Sequence, residues 1–142
     1  MSEHILVVDD EAQIRELLCI YLIKQGFTVS TAGTSKETLQ VLQKTPADLV
    51  VLDIGLADED GLKVLAEIKK QHPAIRVVML TGMGFVEDLL QEAHQKGADG
   101  YVSKVLPLDE LLMAIQRTCK SAPAQLLRSD VKGQPFSGAR QF

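Results

Sequence analysis

The sequence predicts an α/β fold in which a doubly wound parallel sheet lies between two layers of helices. Five short β-type segments alternate with five longer segments of helical periodicity, and short connections join them. Three of the β-type segments contain uninterrupted apolar runs, at residues 5–8, 49–52 and 77–80. Such runs are typical of parallel strands that are covered on both faces. The alternation implies right-handed βαβ crossovers and a (βα)5 three-layer sandwich.

The β-type segments differ from one another in a way that predicts their places in the sheet. They comprise His4–Asp9, Phe27–Ala32, Asp48–Asp53, Ile75–Thr81 and Gly100–Ser103. The second alternates polar with apolar residues and the fifth is short, so both fit the sheet edges, where one side meets water. The first, third and fourth segments are therefore predicted to be central.

Each helical segment carries an apolar stripe, and several have recognisable ends. Thr34 and Glu37 have the spacing of a capping box at the second helix. Gly26 and Gly97 follow the first and fourth stripes, where glycine commonly ends a helix. The periodicity stops near residue 120, and Ser, Pro, Gly, Arg and Gln dominate afterwards. We therefore expect a folded domain over residues 1–120, followed by a flexible tail or linker stub over residues 121–142.

Composition and charge exclude several classes of function. The 142 residues carry a formal net charge of −4, which leaves no basic patch large enough to hold nucleic acid by neutralising phosphates. No apolar run approaches the roughly 20 residues that a membrane-spanning helix needs. The N-terminus, Met1-Ser2-Glu3-His4, does not have the pattern of a signal peptide. We therefore expect a cytoplasmic protein that binds neither membranes nor nucleic acid directly.

Polar residues stand where four of the predicted strands end. Asp9 and Asp10 follow the apolar run of the first strand, and Asp53 ends the third. Thr81 ends the fourth strand, and Lys104 directly follows the fifth. In an open α/β sheet, ligands bind beyond the carboxyl ends of the strands, at the point where the strand order reverses. These side chains are therefore expected to converge in one pocket.

Three carboxylates in one pocket need a compensating positive charge, because like charges a few ångströms apart disfavour joint ionisation. Mg²⁺ supplies such a charge, and it typically takes one or two carboxylates together with phosphate oxygens and waters. Lys104 would supply a second positive charge and Thr81 a hydroxyl donor. These are the groups needed to hold a phosphoryl group during in-line transfer to an aspartate, here Asp53.

Four motifs in the sequence resemble those of the receiver domain of bacterial two-component response regulators. They are Asp9-Asp10, Asp53 followed by Gly61, Thr81-Gly82, and Gly-Ala-Asp-Gly-Tyr-Val-Ser-Lys at residues 97–104. Each motif alone is weak, but the complete set, in order and with each at a strand end, is specific. The resemblance extends from residue 4 to about residue 120. It implies a flavodoxin-like fold with strand order 2-1-3-4-5, in agreement with the central and edge places that periodicity predicts.

The resemblance implies a signalling switch that catalyses its own phosphorylation and autodephosphorylation. Asp53 would accept the phosphoryl group, and Thr81 and Lys104 would contact the phosphoryl oxygens. Tyr101 matches an aromatic residue that changes rotamer as Thr81 moves toward the phosphate. The implied partners are a sensor histidine kinase or a histidine phosphotransfer protein as donor, an output domain or downstream protein, and a second copy in a homodimer.

The resemblance also implies Mg²⁺ as the cofactor. Its ligands would be the Asp10 and Asp53 carboxylates and the backbone carbonyl of Gly55, with Asp9 nearby, often through water. Two positions depart from the family pattern. Val105 follows Lys104 where the family commonly has a proline joined by a cis peptide, so we expect a trans peptide there, because a non-proline cis bond costs roughly 2.5–4 kcal/mol. Ala57 stands where the loop after the aspartate usually carries a proline.

The same residues allow other interpretations. Asp10 could simply be the N-cap of the first helix, although a cap would not explain Asp9 and Asp53 as well. Binding of FMN would require a Ser-, Thr- or Gly-rich phosphate loop after the first strand, where this chain has acids. A haloacid-dehalogenase-type phosphatase would require a second aspartate at the position of Gly55. The remaining alternative is a degenerate receiver that acts as a protein-binding module and is never phosphorylated.

Overall fold

The structure is a computed structural model, and it describes residues 3–56, 59–82, 87–104, 108–119 and 139–141. The first five strands alternate with five helices as the sequence predicts, and the bounds of these strands agree with the prediction to within one residue. The elements are β1 (His4–Val8), α1 (Ala12–Lys24), β2 (Thr28–Ala32), α2 (Ser35–Lys44), β3 (Leu49–Asp53), α3 (Gly61–Gln71), β4 (Arg76–Thr81), α4 (Glu87–Gln95), β5 (Gly100–Ser103), α5 (Leu108–Cys119) and β6 (Ala139–Gln141).

The first five strands form a parallel sheet in the order β2-β1-β3-β4-β5, which confirms the predicted order. The chain starts in β1, moves outward to β2, and then crosses back over β1 to β3. The strand order therefore reverses between β1 and β3. In such folds the ligand site lies beyond the carboxyl ends of the two strands at this reversal.

Helices cover both faces of the sheet. Successive side chains of a strand point to opposite faces, so β1 contributes Leu6 and Val8 to one apolar core and Ile5 and Val7 to the other. The first core also contains the apolar stripe of α3, and the second contains those of α1 and α5. All residues of β3 are buried, which accounts for its uninterrupted apolar run. The protein is therefore the predicted three-layer sandwich.

The edges of the sheet differ in part from the prediction. β2 is an edge strand with exposed and half-buried residues, as its alternating sequence predicts. The prediction that β5 is the other edge is wrong, because β6 pairs with it antiparallel and places Arg140 opposite Tyr101. All four residues of β5 are buried. Residues 120–138 and 142 lie outside the described residues, so the predicted tail stays a prediction.

Three of the predicted helix ends are confirmed in detail. The Glu37 backbone N–H donates to Oγ1 of Thr34 at 3.0 Å, as a capping box at α2 requires. The Glu37 carboxylate in turn accepts a hydrogen bond from the Gly33 N–H at 2.7 Å. Gly26 and Gly97 follow α1 and α4 with φ angles of +98° and +103°, a conformation that glycine adopts without a steric penalty. Within the described ranges, no helix is both long and apolar enough to cross a membrane.

Candidate functional site

Three carboxylates meet at the reversal of the strand order, as the sequence predicts. Asp9 follows β1 and Asp53 ends β3, and these neighbouring strands pair in parallel with Val8 opposite Leu52. One carboxylate oxygen from each of Asp9, Asp10 and Asp53 lies within 4.8 Å of the others. Asp9 and Asp53 are buried, whereas Asp10 is exposed at the mouth of the cluster. The topology thus brings the predicted acids together at the carboxyl ends of the strands.

The loop from β1 to α1 is anchored through Asp9. The Asp9 N–H donates to the Ala32 carbonyl at 3.2 Å. Its side-chain Oδ1 accepts from the Glu11 N–H at 2.9 Å, and its carbonyl accepts from Nη1 of Arg15 at 2.6 Å. The N-cap residue of α1 is Glu11, which makes no side-chain capping hydrogen bond among the described residues. Asp10 therefore does not cap this helix, and the N-cap interpretation of Asp10 is wrong.

Lys104 is the cation at the centre of the cluster. Its ammonium lies 2.8 Å from Oδ2 of Asp9, 3.2 Å from Oδ2 of Asp53 and 3.4 Å from Oε1 of Glu11. Burial alone would lower the pKa of Lys104, but the Asp9 and Asp53 carboxylates together raise it above its ordinary value. The backbone N–H of Lys104 donates to the Thr81 carbonyl at 2.8 Å, which fixes the backbone at the end of β5. The predicted trans peptide to Val105 lies outside the described residues, as does Ala57.

The electrostatics at Asp53 favour an additional cation. Burial raises the pKa of Asp53, and the neighbouring Asp9 charge raises it further, while the Gly55 N–H and Lys104 act in the opposite direction. The Gly55 N–H donates to Oδ1 of Asp53 at 3.1 Å. The pKa of Asp53 nevertheless remains above its ordinary value, so the Lys104 ammonium does not fully offset the cost of burying this negative charge. Carboxylate oxygens in this arrangement are the donors that Mg²⁺ prefers, and the described residues therefore fit this ion.

Gly61 lets α3 begin directly against the end of β3. A Cβ atom at position 61 would lie 2.3 Å from the Asp53 carbonyl oxygen and 2.6 Å from Cα of Ile54. Both contacts are far shorter than a real Cβ atom makes, so only glycine fits. The Gly61 N–H donates to the Ile54 carbonyl at 2.9 Å, and Asp60 caps the helix through the Leu62 N–H at 2.9 Å. These contacts hold the segment that follows Asp53.

Thr81 and Tyr101 lie together on the neighbouring strands β4 and β5. Both are fully buried. Burial raises the pKa of Tyr101, and interaction of its hydroxyl with the Thr81 side chain partly opposes this rise. β4 and β5 pair with Thr81 opposite Ser103 and with Met79 opposite Tyr101. Thr81 and Tyr101 therefore interact with each other between two neighbouring strands.

Sequence reasoning missed two residues of this site. Glu11 is a third carboxylate partner of Lys104, and Arg15 binds the backbone of Asp9. The available signals were a third acid directly after Asp9-Asp10 and a cation one helical turn later. Neither signal predicts which groups the Glu11 and Arg15 side chains contact, because these contacts depend on the path of α1 relative to the neighbouring loops.

The raised pKa of Asp53 predicts a pH-dependent stability. The folded metal-free domain binds this proton more tightly than the unfolded chain, so the free energy of unfolding falls as the pH rises from the ordinary value of 3.8 through the raised pKa. We expect Asp53→Asn to remove this fall and to be more stable than wild type near neutral pH. Urea unfolding with a chelator, measured across this pH range, tests the expectation. A stability difference that is constant with pH would contradict it.

The family of response regulator receiver domains matches residues 5–116 of this chain. The chain belongs to this family. Among curated relatives, an NtrX-like response regulator of Rickettsia felis is 33% identical over 132 residues, which cover 92% of this chain and 28% of the relative. The transcriptional regulatory protein GlrR of Escherichia coli K12 is 36% identical over 122 residues, covering 85% and 27%. The receiver domain thus spans just over a quarter of the length of these relatives.

Solved structures support the same assignment. The receiver domain of NtrX from Brucella abortus is 38% identical, with a TM-score of 0.77, and the match covers 82% of this chain and 98% of that chain. A CheY-like receiver domain protein from Methanospirillum hungatei is 26% identical, with a TM-score of 0.81 and coverage of 88% and 99%. The flavodoxin-like fold is therefore confirmed, and the chain is a receiver domain of two-component signal transduction.

Proposed function

We propose that this receiver domain accepts a phosphoryl group on Asp53 in a Mg²⁺-dependent reaction. The protein acts in the cytoplasm, and the donor is the phosphohistidine of a sensor histidine kinase or of a histidine phosphotransfer protein. The observation that carries the proposal is the position of Asp53, a buried carboxylate at a strand end, with Lys104 on one side and two further aspartates within 4.8 Å. The phosphorylated state is then transmitted to an output domain or a downstream protein.

Asp10, Asp53 and the Gly55 carbonyl would hold the Mg²⁺ ion, with Asp9 close by. When bound, the ion neutralises charge on the transferring phosphoryl oxygens. Oδ1 of Asp53 already accepts from Gly55, and Oδ2 faces the Lys104 ammonium. These two contacts hold the Asp53 carboxylate beside those of Asp9 and Asp10, where the ion would bind.

The chain's own residues would assist transfer by placing charge around the phosphoryl group. A carboxylate oxygen of Asp53 forms the new O–P bond while the N–P bond of the phosphohistidine breaks and its electron pair returns to the imidazole. The Lys104 ammonium and the Thr81 hydroxyl would contact the phosphoryl oxygens. Because Thr81 interacts with the buried Tyr101 hydroxyl, movement of Thr81 toward the phosphate would shift Tyr101 in β5.

Mg²⁺ binding provides the first test. Because Asp10 is proposed as a direct ligand, we expect Asp10→Asn to weaken Mg²⁺ binding at least tenfold, measured by titration calorimetry, since a hard cation loses a charged oxygen donor. Glu16→Gln removes an exposed acid from α1 and serves as the matched control, with wild-type affinity expected. Equal affinities of wild type and Asp10→Asn would show that the proposed ligand set is wrong.

Phosphorylation by acetyl phosphate distinguishes this function from that of an unphosphorylated protein-binding module. We expect a covalent phosphoryl adduct, detected by intact mass, when Mg²⁺ is present, and none when it is chelated. A domain that binds Mg²⁺ but never forms the adduct, with acetyl phosphate or with a phosphorylated histidine donor, would instead be the degenerate receiver.

A further inference from the structure

We propose that Arg15 is a positioning residue for Asp10, and that Gly33 provides the space in which its guanidinium lies. The inference rests on the proposed function, because Asp10 matters as a metal ligand only there. Arg15 lies on the first turn of α1, and its Nη1 donates to the Asp9 carbonyl at 2.6 Å. A guanidinium that donates to a carbonyl makes a charge-assisted hydrogen bond, which is stronger than a neutral one.

This hydrogen bond acts on the backbone that carries Asp10. The Asp9 carbonyl and the Asp10 N–H belong to one planar peptide unit, so fixing the carbonyl fixes the plane. The next peptide unit contains the Glu11 N–H, which donates to Oδ1 of Asp9 at 2.9 Å. Both peptide planes that flank Asp10 are therefore anchored, one by Asp9 and the other by Arg15. Asp10 itself is exposed, so these two planes fix the direction of its Cα–Cβ bond and thereby limit the positions that its carboxylate can reach.

Gly33 leaves the space that Arg15 needs. A Cβ atom at position 33 would lie 2.9 Å from Nη1 and 3.4 Å from Cζ of Arg15, so one of the two groups would have to move. The backbone at position 33 is held, because its N–H donates to Glu37 and the preceding Ala32 carbonyl accepts from Asp9. Gly33 does not have a positive φ, so alanine fits its backbone conformation. Gly33→Ala should therefore displace the guanidinium without changing any charge.

A positioning role and a purely electrostatic role of Arg15 predict opposite changes in Mg²⁺ affinity when Arg15 is replaced by a neutral residue. Arg15 lies beside a cluster of acids, and its positive charge repels a divalent cation placed among them. If charge alone mattered, its removal would tighten Mg²⁺ binding. If Arg15 positions Asp10, its removal weakens binding, because partners that orient metal ligands typically contribute 10–100-fold to metal affinity.

The experiment compares Mg²⁺ affinities of the full chain by titration calorimetry. We expect Arg15→Met to bind Mg²⁺ roughly tenfold more weakly than wild type. We expect Gly33→Ala to weaken binding in the same direction, and Arg15→Lys to restore part of the loss. Lys24→Met is the matched control, because it removes a cation from the far end of α1, about 13 Å along the helix. Its affinity should equal that of wild type.

The metal-free state provides a second readout. The Asp10 and Glu11 amide resonances should shift in Gly33→Ala and Arg15→Met but not in Lys24→Met. If Arg15→Met does not fold, Gly33→Ala decides the outcome. Wild-type or tighter Mg²⁺ binding by Gly33→Ala, with unshifted Asp10 and Glu11 amides, would overturn the inference. A wild-type chain that binds no Mg²⁺ would instead overturn the proposed function, while the amide shifts would still test the role of Arg15.

Discussion

Asp53→Asn is expected to abolish phosphorylation by acetyl phosphate in the presence of Mg²⁺. Asp53 combines a buried carboxylate at a strand end with the Lys104 ammonium at 3.2 Å and two neighbouring aspartates. An amide lacks the carboxylate charge and does not form the acyl phosphate. Intact mass measures the loss, and borohydride trapping of the wild-type adduct followed by peptide mass spectrometry locates the modified residue.

The loss of the adduct in Asp53→Asn should not arise from unfolding. The raised pKa of Asp53 shows that the fold already disfavours its charge, so a neutral asparagine is expected to be tolerated. Asp88→Asn, an exposed residue on α4, is the matched control and should be phosphorylated like wild type. A label on Asp9, Asp10 or any hydroxyl would contradict the assignment of Asp53 as the acceptor.

The positions of the acids could be predicted from the sequence because they follow from backbone periodicity. Apolar runs mark buried strands, and the first polar residue after such a run marks the carboxyl end of the strand. This pattern predicts the positions of Asp9 and Asp53, and the pairing of β1 with β3 brings the two residues together. Apolar and alternating patterns distinguish the central strands and the edge strand β2, whereas the full order of the five strands is implied only by the resemblance to receiver domains, and neither source predicts that β6 covers β5.

Contacts that depend on the position of a side-chain end could not be predicted from periodicity. The contact of Lys104 with Glu11 joins residues 93 positions apart and requires the actual course of both loops. β6 is three residues long and carries no apolar alternation that would indicate a strand. A glycine in the sequence likewise does not show what approaches it. Gly61 was recognised by resemblance alone, and only its distance from the Asp53 carbonyl explains it.

Lys104→Met is expected to have two effects of opposite sign. The rate of phosphorylation by acetyl phosphate should fall roughly 10²–10³-fold, because a preorganised donor near the developing charge is lost. Mg²⁺ binding should become tighter, because the ammonium lies 2.8 Å from Asp9 and 3.2 Å from Asp53 and competes with the metal for these carboxylates. Single-turnover kinetics measures the rate at saturating Mg²⁺, and calorimetry measures the affinity.

Two further variants separate the roles of Lys104. Glu11→Gln removes the outer partner of the ammonium at 3.4 Å but leaves both aspartates, so we expect a rate within a few-fold of wild type. Lys96→Met removes a cation that is paired with Glu92 on the surface of α4, and neither rate nor affinity should change. If Lys104→Met binds Mg²⁺ more weakly than wild type, Lys104 does not compete with the metal. Instead, its two ion pairs would hold Asp9 and Asp53 in the geometry that the metal requires.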